Sequence, residues 1–175
     1  ADIVQGGDRA AILNRQAGYL WVMPASEAGS MPLTADTAQT NVRLPGGKLT
    51  ASVSGIVFGI APESGQLATI TPDGAGYSTS LRQLDDISPT GNLQLTAVGD
   101  KPVVFDRDTN LIHLPNGKTV DAPNNDITLQ QPGEDADAVV VADASNLYQI
   151  NLDDGEQVSI CLLYTSPSPR DKRQS

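Results

Sequence analysis

Apolar residues in this chain come in short runs, and turn-forming residues separate them. The runs are AAIL at 10–13, YLWVM at 19–23, IVFGIA at 56–61 and LATI at 67–70, then PVVF at 102–105, LIHL at 111–114, AVVVA at 138–142 and LYQI at 147–150. Between them lie Gly, Asn, Asp and Pro. No helix-length window keeps apolar positions at i, i+3, i+4 and i+7 free of Gly or Pro. Short runs rich in Val, Ile and Leu predict strands, and the residues between them predict turns. The fold class is therefore all-β.

The runs pair into a repeat. GDRAAILNRQAGYLWVM, SGIVFGIAPESGQLATI, GDKPVVFDRDTNLIHL and DADAVVVADASNLYQI each read as strand, polar turn and strand. Their turn markers are Gly18, Gly65, Asn110 and Asn146, spaced 47, 45 and 36 residues apart. Gly and Asn suit a hairpin tip because tight turns need positive φ there. A second turn follows in three copies: TPDG at 71–74, LPNG at 114–117 and LDDG at 152–155. This period predicts a partial β-propeller of about four blade-like repeats of antiparallel strands, at about 4–47, 48–94, 95–131 and 132–160. The runs VVF and VVV are apolar at consecutive positions, which predicts burial on both faces and so sheets stacked face to face. A β-sandwich also uses short strands with regular turns, but it gives no reason for the copies to resemble one another.

Composition narrows the class. The chain of 175 residues carries a net charge of −10. Residues 161–175 hold three of the 11 basic and one of the 21 acidic residues, so residues 1–160 net −12. Such a surface repels nucleic-acid phosphates and anionic lipid, so no nucleic-acid partner is expected. No apolar stretch approaches the roughly 18 to 20 residues of a membrane span, so no membrane insertion is expected in this segment. Cys161 is the sole cysteine, which leaves residues 1–160 without disulfides or thiolate metal ligands.

The runs GDRAAILNRQAGYLWVMPASEA, GGKLTASVSGIVFGIAPESGQLATITPDG and LTAVGDKPVVFDRDTNLIHLPNGKTV resemble the N-terminal propeller-like region of large secreted actinobacterial proteins. Those proteins continue into fibronectin type III or other immunoglobulin-like repeats. The resemblance spans most of residues 3–157 and rests on strand-and-turn texture. It implies an extracellular or cell-surface protein with no assigned chemistry in this region.

Candidate chemistry is sparse. His113, the only histidine, sits inside LIHL, with no G-x-S-x-G elbow in the chain and no further His or Cys for a zinc site. It reads as a strand residue facing solvent or hydrogen-bonded within the sheet. DRDTN, Asp106–Asn110, matches the start of a calcium loop, but Leu111 stands where Gly is needed and Gly117 where a bidentate Glu belongs. It reads as a hairpin tip. LPGGKLT, with Gly46, Gly47 and Lys48, lacks the other parts of a phosphate loop and reads as a turn. The pairs Asp85–Asp86 and Asp153–Asp154 are sequence neighbours and form no acid–base dyad, since strand neighbours point to opposite faces. Tyr19 and Trp21 would share a face, and Trp21 is expected to pack between sheets rather than stack on sugar. No catalytic, cofactor-binding or metal residue is assigned, and no cofactor is expected.

The last fifteen residues differ in character. CLLYTSPSPRD resembles transposon-end and adapter DNA from sequencing-library preparation, translated in frame. Residues 161–175 are therefore expected to be a non-native, disordered tail, with the reading frame cut at both ends. A non-catalytic scaffold or binding module of a large exported protein, with an unknown protein or glycan ligand, is the expected function. Two alternatives are a propeller-fold or polysaccharide-acting hydrolase with its catalytic residues elsewhere, and an intracellular interaction propeller.

Overall fold

A computed structural model describes residues 2–160, and the predicted non-native tail lies outside the described residues. Fifteen strands form four antiparallel sheets, each a meander of consecutive strands. The first sheet holds β1 (Asp2–Gly6), β2 (Arg9–Asn14) and β3 (Tyr19–Pro24). The second holds β4 (Lys48–Ala51), β5 (Val57–Ala61), β6 (Gln66–Asp73) and β7 (Gly76–Gln83). The third holds β8 (Leu93–Val98), β9 (Lys101–Asp106), β10 (Leu111–His113) and β11 (Thr119–Asp121). The fourth holds β12 (Thr128–Leu129), β13 (Ala138–Ala142), β14 (Leu147–Asn151) and β15 (Gln157–Ile160). Among the described residues helix is limited to two single 3₁₀ turns, Ala25–Glu27 and Ala35–Thr37. No helix among the described residues is long and apolar enough to cross a membrane.

All four predicted hairpins form within single sheets, as β2–β3, β5–β6, β9–β10 and β13–β14. Three of their markers have the positive φ that the turn chemistry requires: Gly18 at 82°, Gly65 at 72° and Asn110 at 60°. Gly18 is doubly constrained, because a Cβ there would lie 2.6 Å from Pro45 N. Asn146 departs from this pattern and is absent from the positive-φ residues. Its turn is held instead by Asp143, whose Oδ1 accepts hydrogen bonds from the backbone N–H of Ser145 and Asn146, both at 2.8 Å. A side-chain acceptor thus replaces the left-handed backbone. The second set of turns leads into the fourth strand of each later sheet, β7, β11 and β15.

The sheets stack mainly through alternate residues of their second and third strands, with Leu93 of β8 added. Leu13, Leu20 and Val22 of the first sheet meet Val57, Ala68 and Ile70 of the second. Ile60 and Leu67 of the second meet Leu93 and Val104 of the third. Val103, Phe105 and Ile112 of the third meet Val139, Val141 and Ile150 of the fourth. β5 is consequently buried at every position and β9 at its last four. Ion pairs add little: three are formed among the described residues, all involving exposed or part-exposed groups.

The two ends of the stack differ. The outer face of the first sheet, with Ile12, Trp21 and Met23, is covered by Ala38 and Met31 from the segment after β3. That cover corrects the expectation for Trp21, which packs beneath this segment and not between sheets. Its indole N–H donates to Thr34 O at 2.9 Å and to Thr37 Oγ1 at 3.1 Å. Tyr19 is its neighbour at 6.1 Å between ring centroids, and the Arg43 guanidinium lies 4.3 Å from the Tyr19 ring centroid. On the fourth sheet the outward positions Val140, Ala142 and Leu147 are half-buried, and Val158 is 55% exposed. The run VVV is therefore buried on one face and partly open on the other, since its sheet has only one stacked neighbour among the described residues.

This apolar face sets an expected outcome. Charge repulsion keeps copies of so acidic a chain apart, and salt screens it within about 10 Å at 0.1 M. Light scattering of the 175-residue chain should rise along a salt series, and Val158→Lys should flatten the rise. A salt-insensitive monomer would contradict it.

Candidate functional site

The first strand of each sheet is an edge strand, and the four edges come together. β1 lies beside β4, β4 beside β8 and β8 beside β12. Gly6 permits the first approach: a Cβ there would fall on the Ser52 carbonyl oxygen and 2.8 Å from Ala51 Cβ. Between the edges lies a cleft of about 450 Å³. Its walls are Val4 and Gln5 of β1, Lys48 to Ala51 of β4, Gln94 to Thr96 of β8, and Thr128 to Pro132 around β12. The volume falls in the range typical of small-ligand sites.

Several of these side chains are already engaged. The Gln94 amide donates to Ile127 O at 2.9 Å and accepts from Leu129 N–H at 2.8 Å. It thereby acts as a ladder rung between the third and fourth sheets. Thr96 Oγ1 donates to Gln130 O at 2.7 Å. Gln130 Oε1 accepts from Val140 N–H at 2.8 Å, while Gln130 N–H donates to Val140 O at 2.9 Å. Beyond the two residues of β12, Gln130 keeps the pairing with Val140, and a parallel bridge joins Val98 of β8 to Gly133. By contrast, the side chains of Gln5, Lys48 and Gln131 make no hydrogen bond or ion pair among the described residues.

The electrostatics of the cleft are unusual for so acidic a chain. Among the described residues its lining contains amides, hydroxyls and the Lys48 ammonium, but no carboxylate or imidazole. Such a set can donate and accept hydrogen bonds and hold one negative charge. Sequence reasoning singled out Lys48 only as part of a turn; Leu44–Gly47 is that turn, closed by Gly47 N–H to Leu44 O at 3.0 Å, and Lys48 opens β4 just after it. The signal that marks the cleft is a Leu or Val beside uncharged Gln or Thr in each first strand: VQ, LT, QLT and TLQQ.

The other candidates lie apart from the cleft. Asp106 is buried and spends its oxygens on backbone donors, with Ser88 N–H at 2.7 Å and Asp108 N–H at 3.0 Å. Asp108 is bound by the Thr90, Asn92 and Ser88 side chains, and these hydrogen bonds, Thr90's foremost, hold its carboxyl below the usual range. The two carboxylates thus tie the hairpin to the segment preceding β8 instead of converging on a cation. No group of three or more His, Cys, Asp or Glu placed to hold a metal occurs among the described residues. Asp85–Asp86 and Asp153–Asp154 sit exposed in bends and turns, not on strands as the facing argument assumed.

His113 is buried rather than solvent-facing, at 4% exposure. Its Nε2 has no hydrogen-bond partner among the described residues. It shares a recess between the second and third sheets with Arg82, Asp85 and Asp86. Burial lowers its pKa and the Arg82 charge adds to that, against the opposing charges of Asp106, Asp86 and Asp85. The unfolded imidazole titrates near 6.5. Below that pH the unfolded chain takes up a proton that the folded chain refuses, so stability present above pH 6.5 is lost as pH falls towards the folded pKa. Thermal melts of the wild type should drop over this window relative to His113→Gln, whose curve lacks the step. Parallel curves would show that His113 titrates normally.

Compared with models of protein families and with curated proteins, the chain matches none.

Proposed function

We propose that this chain is a non-catalytic scaffold or binding module whose four sheets are consecutive blades of a propeller. The observation that carries the reading is the cleft at the meeting of four first strands, polar yet free of carboxylates. Blades set around an axis place their first strands together there and bury their inner strands on both faces, and the stacking of β5 and β9 supports this. A hydrolase of the glycosidase kind would need paired carboxylates flanking its substrate, and the cleft offers hydrogen-bonding groups instead. The texture resemblance to exported multi-repeat proteins supports an extracellular or cell-surface setting for the module.

Amide chemical-shift mapping of the full chain, against a panel of peptides and oligosaccharides, tests the reading. Shifts should cluster at Val4–Gln5, Lys48–Ala51, Gln94–Thr96 and Thr128–Gln131, with every probe recovered unchanged. Turnover of a probe, or shifts confined to other surfaces, would overturn it.

A further inference from the structure

We infer that the cleft takes the C-terminal end of an extended peptide, with its backbone along the strand edges and its carboxylate on Lys48. The inference rests on the binding-module reading and names the ligand for that same site.

Three observations lead to it. First, β1 and β4 are terminal strands of their sheets, and neither has a ladder on the side facing the cleft. Their unpaired backbone groups can be satisfied by an added strand, which supplies alternating donors and acceptors at the right spacing. The wall from Lys48 to Ala51 is four residues long, about 13 Å at the usual rise per residue, so a terminal segment of about four residues matches it.

Second, the charge pattern is selective. Lys48 is the single charged side chain lining the cleft, and it has no partner among the described residues. Every other charge of the described residues lies outside this space. A ligand with one negative charge meets an ammonium and no repelling carboxylate inside the cleft, whereas a cationic ligand meets only Lys48. A peptide C-terminus carries the extended backbone and the single carboxylate on one element, which suits both the strand edges and the lysine.

Third, the lining argues against a sugar. Among the described residues no aromatic side chain lines the cleft, so they offer no flat apolar surface for a pyranose ring to stack on. Gln5 and Gln131, both exposed and unengaged among the described residues, line this same cleft and can hydrogen-bond a bound main chain.

The test uses the full chain, immobilised, and three probe pools. The first is a mixture of acetylated pentapeptides randomised at all positions with a free C-terminal carboxylate. The second is the same mixture amidated at the C-terminus. The third is a mixture of uronic-acid oligosaccharides. Retained molecules are measured by mass spectrometry, and cleft occupancy is followed by amide shifts. The free-acid pool should be retained about tenfold better than the amidated pool. Lys48→Met should abolish that preference, and Lys48→Arg should keep it, with circular dichroism confirming that both variants fold. Equal retention of the two peptide pools with shifts in the cleft would overturn the C-terminal assignment and leave the binding module standing. Retention of the oligosaccharides in place of the peptides would do the same. Absence of any cleft shift with all three pools would overturn the inference and the binding-module reading together.

Discussion

Phe105→Ala should destabilise the chain by about 3 to 5 kcal/mol in urea denaturation, as expected for deleting a fully buried aromatic side chain. Phe105 has no exposed surface and stands between the third and fourth sheets, among Val103, Ile112, Val141 and Ile150. The second strands of both sheets are pinned by backbone ladders on either side, so the cavity can collapse only in part. A domain of this size is held by about 5 to 15 kcal/mol in all, and the variant should therefore melt well below the wild type. Val158→Ala provides the contrast, since its side chain is mostly exposed and the change should stay within about 0.5 kcal/mol. A loss below about 1 kcal/mol at Phe105 would mean that the third and fourth sheets do not stack through it.

Asp106→Ala should cost about 3 kcal/mol, because it strands three backbone N–H groups, of Ser88, Asp108 and, more distantly, Thr109, at roughly 1 to 3 kcal/mol for a buried unsatisfied donor. Asp106→Asn keeps an acceptor oxygen and should cost less. Adding calcium should leave the melting temperature of wild type and variants alike unchanged, because the Asp106 and Asp108 oxygens are occupied by N–H and O–H donors. A calcium-dependent rise in the wild type that disappears in Asp106→Ala would restore the cation loop that the first positions of DRDTN imitate. The placement follows from strand alternation. Phe105 points toward the fourth sheet and Asp106 the opposite way, toward the connection from the second sheet.

These two neighbours also show how far a linear reading reaches. PVVF and LIHL were legible as a hairpin because the apolar runs and the Asn110 tip are local features, and the pairing of Asp106 with Leu111 is what they predict. The burial of Asp106 was not legible. It depends on Ser88, eighteen positions away, folding back to donate into the turn. His113 was missed for the same kind of reason. Its strand was recognised, but its burial depends on the segment Arg82–Asp86 from another sheet, which lines the same recess. The cover over Trp21 carries no periodic signal at all, being built from the Ser-, Thr- and Ala-rich segment between β3 and β4.

Lys48 marks the boundary most clearly. Its sequence context, a Gly-Gly turn before a short strand, is correct as far as it goes. Its value as the lone charge of a cleft appears only when four first strands, spread from Val4 to Gln131, converge. The paired strands of the four hairpins and the positive-φ tips at Gly18, Gly65 and Asn110 were determined by the sequence by itself, because each depends on residues a few positions apart; the first strand of each sheet and the turn that Asp143 holds at Asn146 were not among them. Which faces stack, which polar groups are sealed, and why Val140 remains half-open where Val104 is buried were decided only by the tertiary structure. A strand apolar on both faces requires two neighbours, and nothing local to that strand specifies whether the second one is there.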